Sequence, residues 1–246
     1  MQRKFRDSAK SAILFRCMMM RLLLGTLLAG AMASASAAEG ITLGGMETDG
    51  ANSYLYAGIL APVGPGPLGN GLVQRYWIDH VEYRYASAGQ TVKAEGWGAE
   101  AALGFQGADR DRWWGTYLGA VYRDTRLSPD DPNSRARGES VRLKVQAEMQ
   151  APIAANWSAN GNLSYILGQK AYWARLRLLT PFGNGMHIGP ELLLQGDPNY
   201  SARQFGLVLA NLRLAQSIDT AIKMGVRHTS GEAARAYFGI EFGRAF

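Results

Sequence analysis

Whatever chemistry this chain performs rests on one cysteine, three histidines and a set of charged residues placed at every second position. Cys17 is close to the N-terminus, while His80, His187 and His228 are far apart in the sequence. No serine stands in a recognisable nucleophile motif and no cluster has metal-ligand spacing. The glycines are spread at strand spacing rather than gathered before a helix into a phosphate loop. The residues therefore call for no catalytic group, no cofactor and no metal. The charged side chains carry more information. In VRLKVQAEMQ (141–150), Arg142, Lys144, Gln146, Glu148 and Gln150 share one parity; Val141, Leu143, Val145, Ala147 and Met149 share the other. Successive side chains of a strand point to opposite faces, so this segment is a ribbon with one oily and one charged face.

The same period-two pattern recurs after residue 40, in segments separated by turn formers. EGWGAEAALGF places Trp97, Ala99, Ala101, Leu103 and Phe105 opposite Gly96, Gly98, Glu100, Ala102 and Gly104. WWGTYLGAVYRD places Trp114, Thr116, Leu118, Ala120 and Tyr122 opposite Gly115, Tyr117, Gly119, Val121 and Arg123. In LVQRYWIDHVEYRYAS the oily face is expected to hold Trp77, Val81, Tyr83 and Tyr85. Its other face is expected to hold Gln74, His80, Glu82 and Arg84. The chain closes with AYFGIEFGRAF, whose Phe238, Ile240, Phe242 and Phe246 alternate with Tyr237, Gly239, Glu241 and Gly243.

Two architectures produce such ribbons. A soluble β-sandwich hides its apolar faces in a core; a transmembrane barrel turns them to lipid and keeps polar residues in the lumen. Aromatic residues near segment ends, charges in mid-segment and the terminal Phe246 all favour the barrel. The expected fold is all-β: a single antiparallel up-and-down transmembrane β-barrel. Twelve strands fit if the weak segment Gly40–Asp49 is counted, and ten is the fallback.

The leader agrees. Six bases and one acid fall within residues 1–38, out of 26 and 20 in the whole chain, which leaves 20 bases and 19 acids for 39–246. The net charge of +6 thus belongs to the leader and gives no support to a nucleic-acid partner. Basic residues ending at Arg21, the apolar run LLLGTLLAGAMA and then SASAA have the form of a cleaved signal peptide. The expected domains are a signal peptide over 1–38 and an outer-membrane barrel over 39–246. Met18–Met20 offers an alternative start that would make 1–17 over-annotation. Cys17 precedes the apolar run, so it cannot be a lipoprotein cysteine, and removal of the leader leaves no thiol.

Inside the barrel the pattern places Glu82, Arg84, Glu100, Arg123, Arg142, Lys144, Glu148, Arg175, Arg177, Glu191, Arg203, Arg213, Lys223, Arg227 and Glu241, with bases in excess. Such a lumen is either a structural filling of ion pairs or a passage for anions or sugar hydroxyls.

GGMETDG, SYLYAGILAP, LGNGLVQRYWIDHVEYRY, YRDTRLSPDDP, YWARLRLLTPFG and IGPELLLQGDPNYSARQFGLVL follow one another in an order and spacing that resemble the bacterial cellulose biosynthesis protein BcsS family. The likeness runs from about Gly44 to Phe246 and implies an outer-membrane accessory of cellulose production or export. It supplies no catalytic residues to transfer. Besides lipid, the implied partners are cellulose chains or other secretion components. Trp173, Asp197, Asn199 and Tyr200 at the surface mouth are the candidate glucan contacts, with Tyr172, Asp130 and Asp131 nearby. A small-solute or anion channel is the alternative, and a lipid-hydrolysing barrel the third.

Overall fold

The computed structural model describes residues 40–215 and 218–246. The expected leader over 1–38, its cleavage site and Cys17 lie outside the described residues. Twelve strands follow in order: β1 (Ile41–Thr48), β2 (Ser53–Pro62), β3 (Gly71–Ser87), β4 (Gln90–Asp109), β5 (Arg112–Ser128), β6 (Gly138–Ala154), β7 (Trp157–Ile166), β8 (Ala171–Phe182), β9 (Met186–Asp197), β10 (Tyr200–Ala215), β11 (Ile218–Thr229) and β12 (Arg235–Ala245). Each pairs antiparallel with its sequence neighbours, and β1 closes on β12 from Ile41↔Ala245 to Thr48↔Phe238. Gly40 and Phe246 complete the seam by exchanging two backbone hydrogen bonds of 2.9 Å. The weak segment before Asp49 is therefore a full member of the barrel, and the count is twelve. No helix among the described residues is long and apolar enough to cross a membrane.

Burial is inverted relative to a soluble core. Leu103, Val141 and Phe205 point outward and are 64%, 70% and 65% exposed, whereas Glu191 and Gln204 point inward at 0% and 1%. Only an apolar surrounding makes that arrangement favourable, because exposed apolar surface costs free energy in water. Outward aromatics form two belts. Trp97, Tyr122, Tyr165, Tyr172 and Phe238 stand toward one end; Phe105, Trp114, Trp157, Phe182 and Phe242 stand toward the other. Tyr172 is thus a girdle residue.

One strand reverses its expected orientation. On β3 the inward face holds Val73, Arg75, Trp77, Asp79, Val81, Tyr83 and Tyr85, and the outward face Leu72, Gln74, Tyr76, Ile78, His80, Glu82 and Arg84. The reason lies in height. Ser53 at the tip of the β1–β2 hairpin is level with Glu82, so Glu82 stands at the last level that β2 reaches and Arg84 on the part of β3 that continues past it. There an outward charge meets headgroups or water, while Arg75 and Asp79, deeper in the barrel, find ionic partners inside.

Loops fold inward at both ends. At the end that carries Gly40 and Phe246, Leu68 of the β2–β3 loop packs against Val73, Ala102 and Tyr117. Gln106 accepts the Gly69 backbone N–H at 2.9 Å and so fastens that loop. At the opposite end, the β5–β6 loop (129–137) buries Asp131, Ser134 and Ala136.

The inverted burial predicts that Val145→Arg, on the outward face of β6, destabilises the barrel by about 2–4 kcal/mol in lipid vesicles. Reversible denaturant titration measures it; an effect below about 0.5 kcal/mol would place Val145 outside the hydrocarbon.

Candidate functional site

The inward face of the strands forms one lumen containing two webs of charge. In the first, Arg75 of β3 meets Glu100 at 3.5 Å and Glu148 at 3.4 Å, and Lys144 of β6 donates to Glu100 at 2.6 Å. Arg123 of β5 grips both oxygens of Asp79 at 2.8 and 3.1 Å. In the second, Arg177 of β8 reaches Glu191 at 2.6 Å and spans to Glu241 of β12 at 2.7 and 2.9 Å. Arg175 joins Glu241 at 3.2 Å, and Lys223 links Glu47 at 2.7 Å to Glu241 at 3.1 Å. Arg227 donates to Glu47 and, at 2.9 Å, to Asp49. Removing ions from water is costly, and pairing of this density is what makes a narrow charged interior tolerable.

The expected lumen residues Glu100, Arg123, Arg142, Lys144, Glu148, Arg175, Arg177, Glu191, Lys223, Arg227 and Glu241 do face inward. Four do not. Glu82 and Arg84 sit on the outer rim, Glu82 paired with Lys93 at 3.2 Å. Arg203 faces outward on β10, beside His228. Arg213 is 83% exposed at the terminal end, 4.0 Å from Asp219, because register shifts after Leu209 and a left-handed Asn211 break the alternation of β10. Glu47, Asp49, Arg75 and Asp79 were missing from the expected set. With them the excess of bases shrinks to Arg142 alone, and the two webs are balanced in sign. Arg142 forms no described ion pair; its buried Nε has no hydrogen-bond partner, and its guanidinium packs beside Gly168.

Tyrosine and tryptophan also line the lumen. Tyr56 and Trp77 stack at 4.7 Å and 12°, and Trp77 Nε1 donates to the Tyr54 hydroxyl at 3.3 Å. Gly45 makes room for the stack. A Cβ there would fall 2.7 Å from the Tyr56 hydroxyl and 2.8 Å from the Ile240 carbonyl. A cavity of about 650 Å³ runs between the two webs, lined by Tyr54, Tyr56 and Trp77 on one side and Asn160, Asn162 and Trp173 on the other.

The proposed contact residues gather at the end opposite Gly40 and Phe246. Tyr200 of β10 meets Tyr83 of β3 at 5.0 Å between ring centroids, from nearly opposite walls, and so bridges the mouth. Gln195 donates to the Tyr200 hydroxyl at 3.1 Å, and Trp173 lies beside Arg175 at 5.4 Å. One oxygen of Asp197 accepts the backbone N–H groups of Asn199 and Tyr200 at 2.7 and 3.0 Å, so it shapes the turn. Asn199 donates to Ser134 Oγ at 3.3 Å, tying the β9–β10 turn to the β5–β6 loop. That loop is also anchored by Asp131, which accepts the Tyr85 hydroxyl at 3.0 Å and the Asn133 N–H at 3.2 Å. Hydrogen bonds from Ser87 above all, then from Tyr85 and the Asn133 backbone, hold its carboxyl below the usual carboxylate range.

Among the described residues, His80, Glu82 and Glu95 are a group whose ligand atoms lie within 4.8 Å of one another. Lys93 and His80 already serve the two carboxylates, at 3.2 and 3.5 Å. His187 lies beside Asn211 toward the terminal end, far in sequence from either other histidine.

The family profile described as cellulose biosynthesis protein BcsS matches residues 41–246. No curated protein matches the chain. Among solved structures it is similar to an outer membrane channel from Pseudomonas putida F1, with a TM-score of 0.51 and 11% identity over 85% of this chain and 95% of that one. LpxR from Salmonella typhimurium gives 0.49 at 8% identity, over 84% of this chain and all (100%) of that one. The KdgM porin gives 0.48 at 10% identity, over 84% of this chain and 99% of that one. The first of these likenesses supports an outer-membrane barrel fold.

Two outcomes are expected. Arg123→Met leaves Asp79 buried and alone, and should cost on the order of 3 kcal/mol; adding Asp79→Leu should recover most of it, as read from urea unfolding. For the loop, a carboxyl with a lowered folded-state pKa contributes stability above its unfolded-state pKa and loses it as pH falls through the folded value. Hydrogen exchange over 129–137 should therefore stay slow from pH 7 down to the ordinary carboxylate range and accelerate below it. In Asp131→Asn the acceleration should be present already at pH 7.

Proposed function

Because this chain belongs to the BcsS family of cellulose biosynthesis proteins, we propose that it is a non-enzymatic outer-membrane accessory of cellulose production. It acts by holding a glucan chain or another secretion component at the mouth opposite Gly40 and Phe246. That mouth faces the cell surface. The family match over 41–246, the whole of the barrel, is the observation that carries this reading. The gathering of Trp173, Asp197, Asn199 and Tyr200 around one opening supports it. A non-catalytic role fits the lumen, where the acids and bases of the two webs are committed to one another. It also fits the dispersal of the histidines.

A second reading is a small-solute channel, favoured by a cavity whose lining extends from Tyr83 and Asp197 at one end to Ile41 and Asp219 at the other. Balanced charge argues against anion preference in such a channel, and the Tyr83–Tyr200 bridge argues against wide conductance.

Deletion of the gene should lower extracellular cellulose, and the full-length protein supplied in trans should restore it. A Trp173→Ala/Tyr200→Ala double variant that reaches the membrane should restore markedly less. Unchanged cellulose in the deletion strain removes the proposal, and well-defined single-channel steps in planar bilayers would favour the channel.

A further inference from the structure

The two charge webs occupy opposite flanks of the lumen, and between their charged members the inward faces of β2–β3 and β7–β8 present uncharged side chains. β2 and β8 stand six strands apart in a ring of twelve, directly across the barrel. The wall of β2–β3 presents Tyr54, Tyr56 and Trp77, fixed by one stack, one hydrogen bond and the Arg75 guanidinium carbon 4.5 Å from the Trp77 ring centre. The facing wall of β7–β8 is amide, hydroxyl and indole: Asn160, Asn162, Ser164 and Trp173. We propose that this slot binds a segment of a neutral, β-linked glucan, its apolar ring faces against the aromatic wall and its hydroxyls against the amide wall.

Three observations select that chemistry. First, hydrogen-bonding capacity is left unused in the slot. Asn162 gives its amide N–H to Glu148 at 3.0 Å, but its buried Oδ1 accepts no hydrogen bond, and neither buried Nε of Arg75 and Arg175 donates one, Arg75 Nε meeting Glu100 only as an ion pair at 3.5 Å. All three side chains line the cavity. Such buried groups carry a desolvation cost that a polyhydroxylated ligand or water would relieve. Second, the charges of the two webs pair among themselves and the unpaired Arg142 lies outside the cavity lining, so neither an acidic nor a basic sugar finds an uncompensated counter-charge between the webs. Third, the cavity of about 650 Å³ is of ligand size, ligand sites spanning roughly 300–1,000 Å³ and being lined by aromatics with a few placed polar groups. The rigid aromatic wall is formed before any ligand arrives, which lowers the ordering cost of binding.

The slot itself stands on geometry; naming its ligand as β-linked glucan rests on the function proposed above. The test uses the full barrel in detergent micelles, with heat-modifiable mobility on gels as the check of folding. Cellohexaose, maltohexaose and oligogalacturonate are titrated by calorimetry and tryptophan fluorescence. Cellohexaose should bind best, and Asn162→Ala and Trp77→Ala should each weaken it at least about tenfold, or 1.4 kcal/mol. The outward variant Trp97→Ala should leave it unchanged. If Trp77→Ala does not fold, Asn162→Ala and Tyr54→Phe, which keep the aromatic wall, carry the test. Absence of cellohexaose binding, tighter binding of oligogalacturonate or maltohexaose, or full affinity in a folded Asn162→Ala barrel each overturns the slot as stated. A cellulose phenotype without cellohexaose binding removes the slot and spares the accessory role. Binding without a phenotype removes the role and spares the slot.

Discussion

Everything in this molecule follows from the rule that a peptide group surrounded by hydrocarbon must be hydrogen-bonded within the protein. A flat sheet of these twelve strands would leave the N–H and C=O groups of β1 and β12 without partners. Pairing Ile41–Thr48 with Phe238–Ala245 removes both edges at once. Closure then fixes the two environments: each strand has one side in the lumen and one in lipid, and the residue types sort accordingly. The segment around Met46 is a poor strand by its own composition, but the ring cannot close without it.

Closure also creates the interior problem that the charge webs answer. A narrow barrel filled with apolar side chains would have two oily faces and nothing to specify which one meets lipid. Long charged residues, paired across as many as four strand steps as in Arg177–Glu241, give the inner face a different chemistry from the outer one. They also fasten strands that share no backbone hydrogen bonds. The aromatic stack beside them is possible because small residues lie beneath it, as Gly45 does under Tyr56.

Most of this was legible in the sequence, and the exceptions have physical causes. β6 could be assigned residue by residue because its two parities differ sharply, aliphatic against charged. β3 could not, because both its parities mix charged and aromatic residues and the strand leaves the membrane partway along. An outward Glu82 and an inward Asp79 look alike until the neighbouring hairpin shows where the lipid ends. Arg213 was misplaced because nothing in the local pattern announces the irregularity at Leu209–Leu212. The balance of the lumen was hidden for a related reason. Asp79 and Arg75 sit on the strand whose faces were exchanged, and the bond between Lys144 and Glu100 joins residues 44 positions apart. Ordering of charges along the chain says little about such encounters.

The strands are unequal. β3 to β6 run to 17 residues or more, while β1, β2 and β7 have 8 to 10, and β6 continues well past the level at which β7 ends. One side of the barrel is thereby raised into a stiff prow made of sheet, whose outer skin carries Glu82, Lys93, Glu95 and Arg126. A ladder of backbone bonds sets its shape in advance. Docking on the prow would be a rigid-body encounter governed by a mosaic of opposite charges, and raising the ionic strength would blunt it.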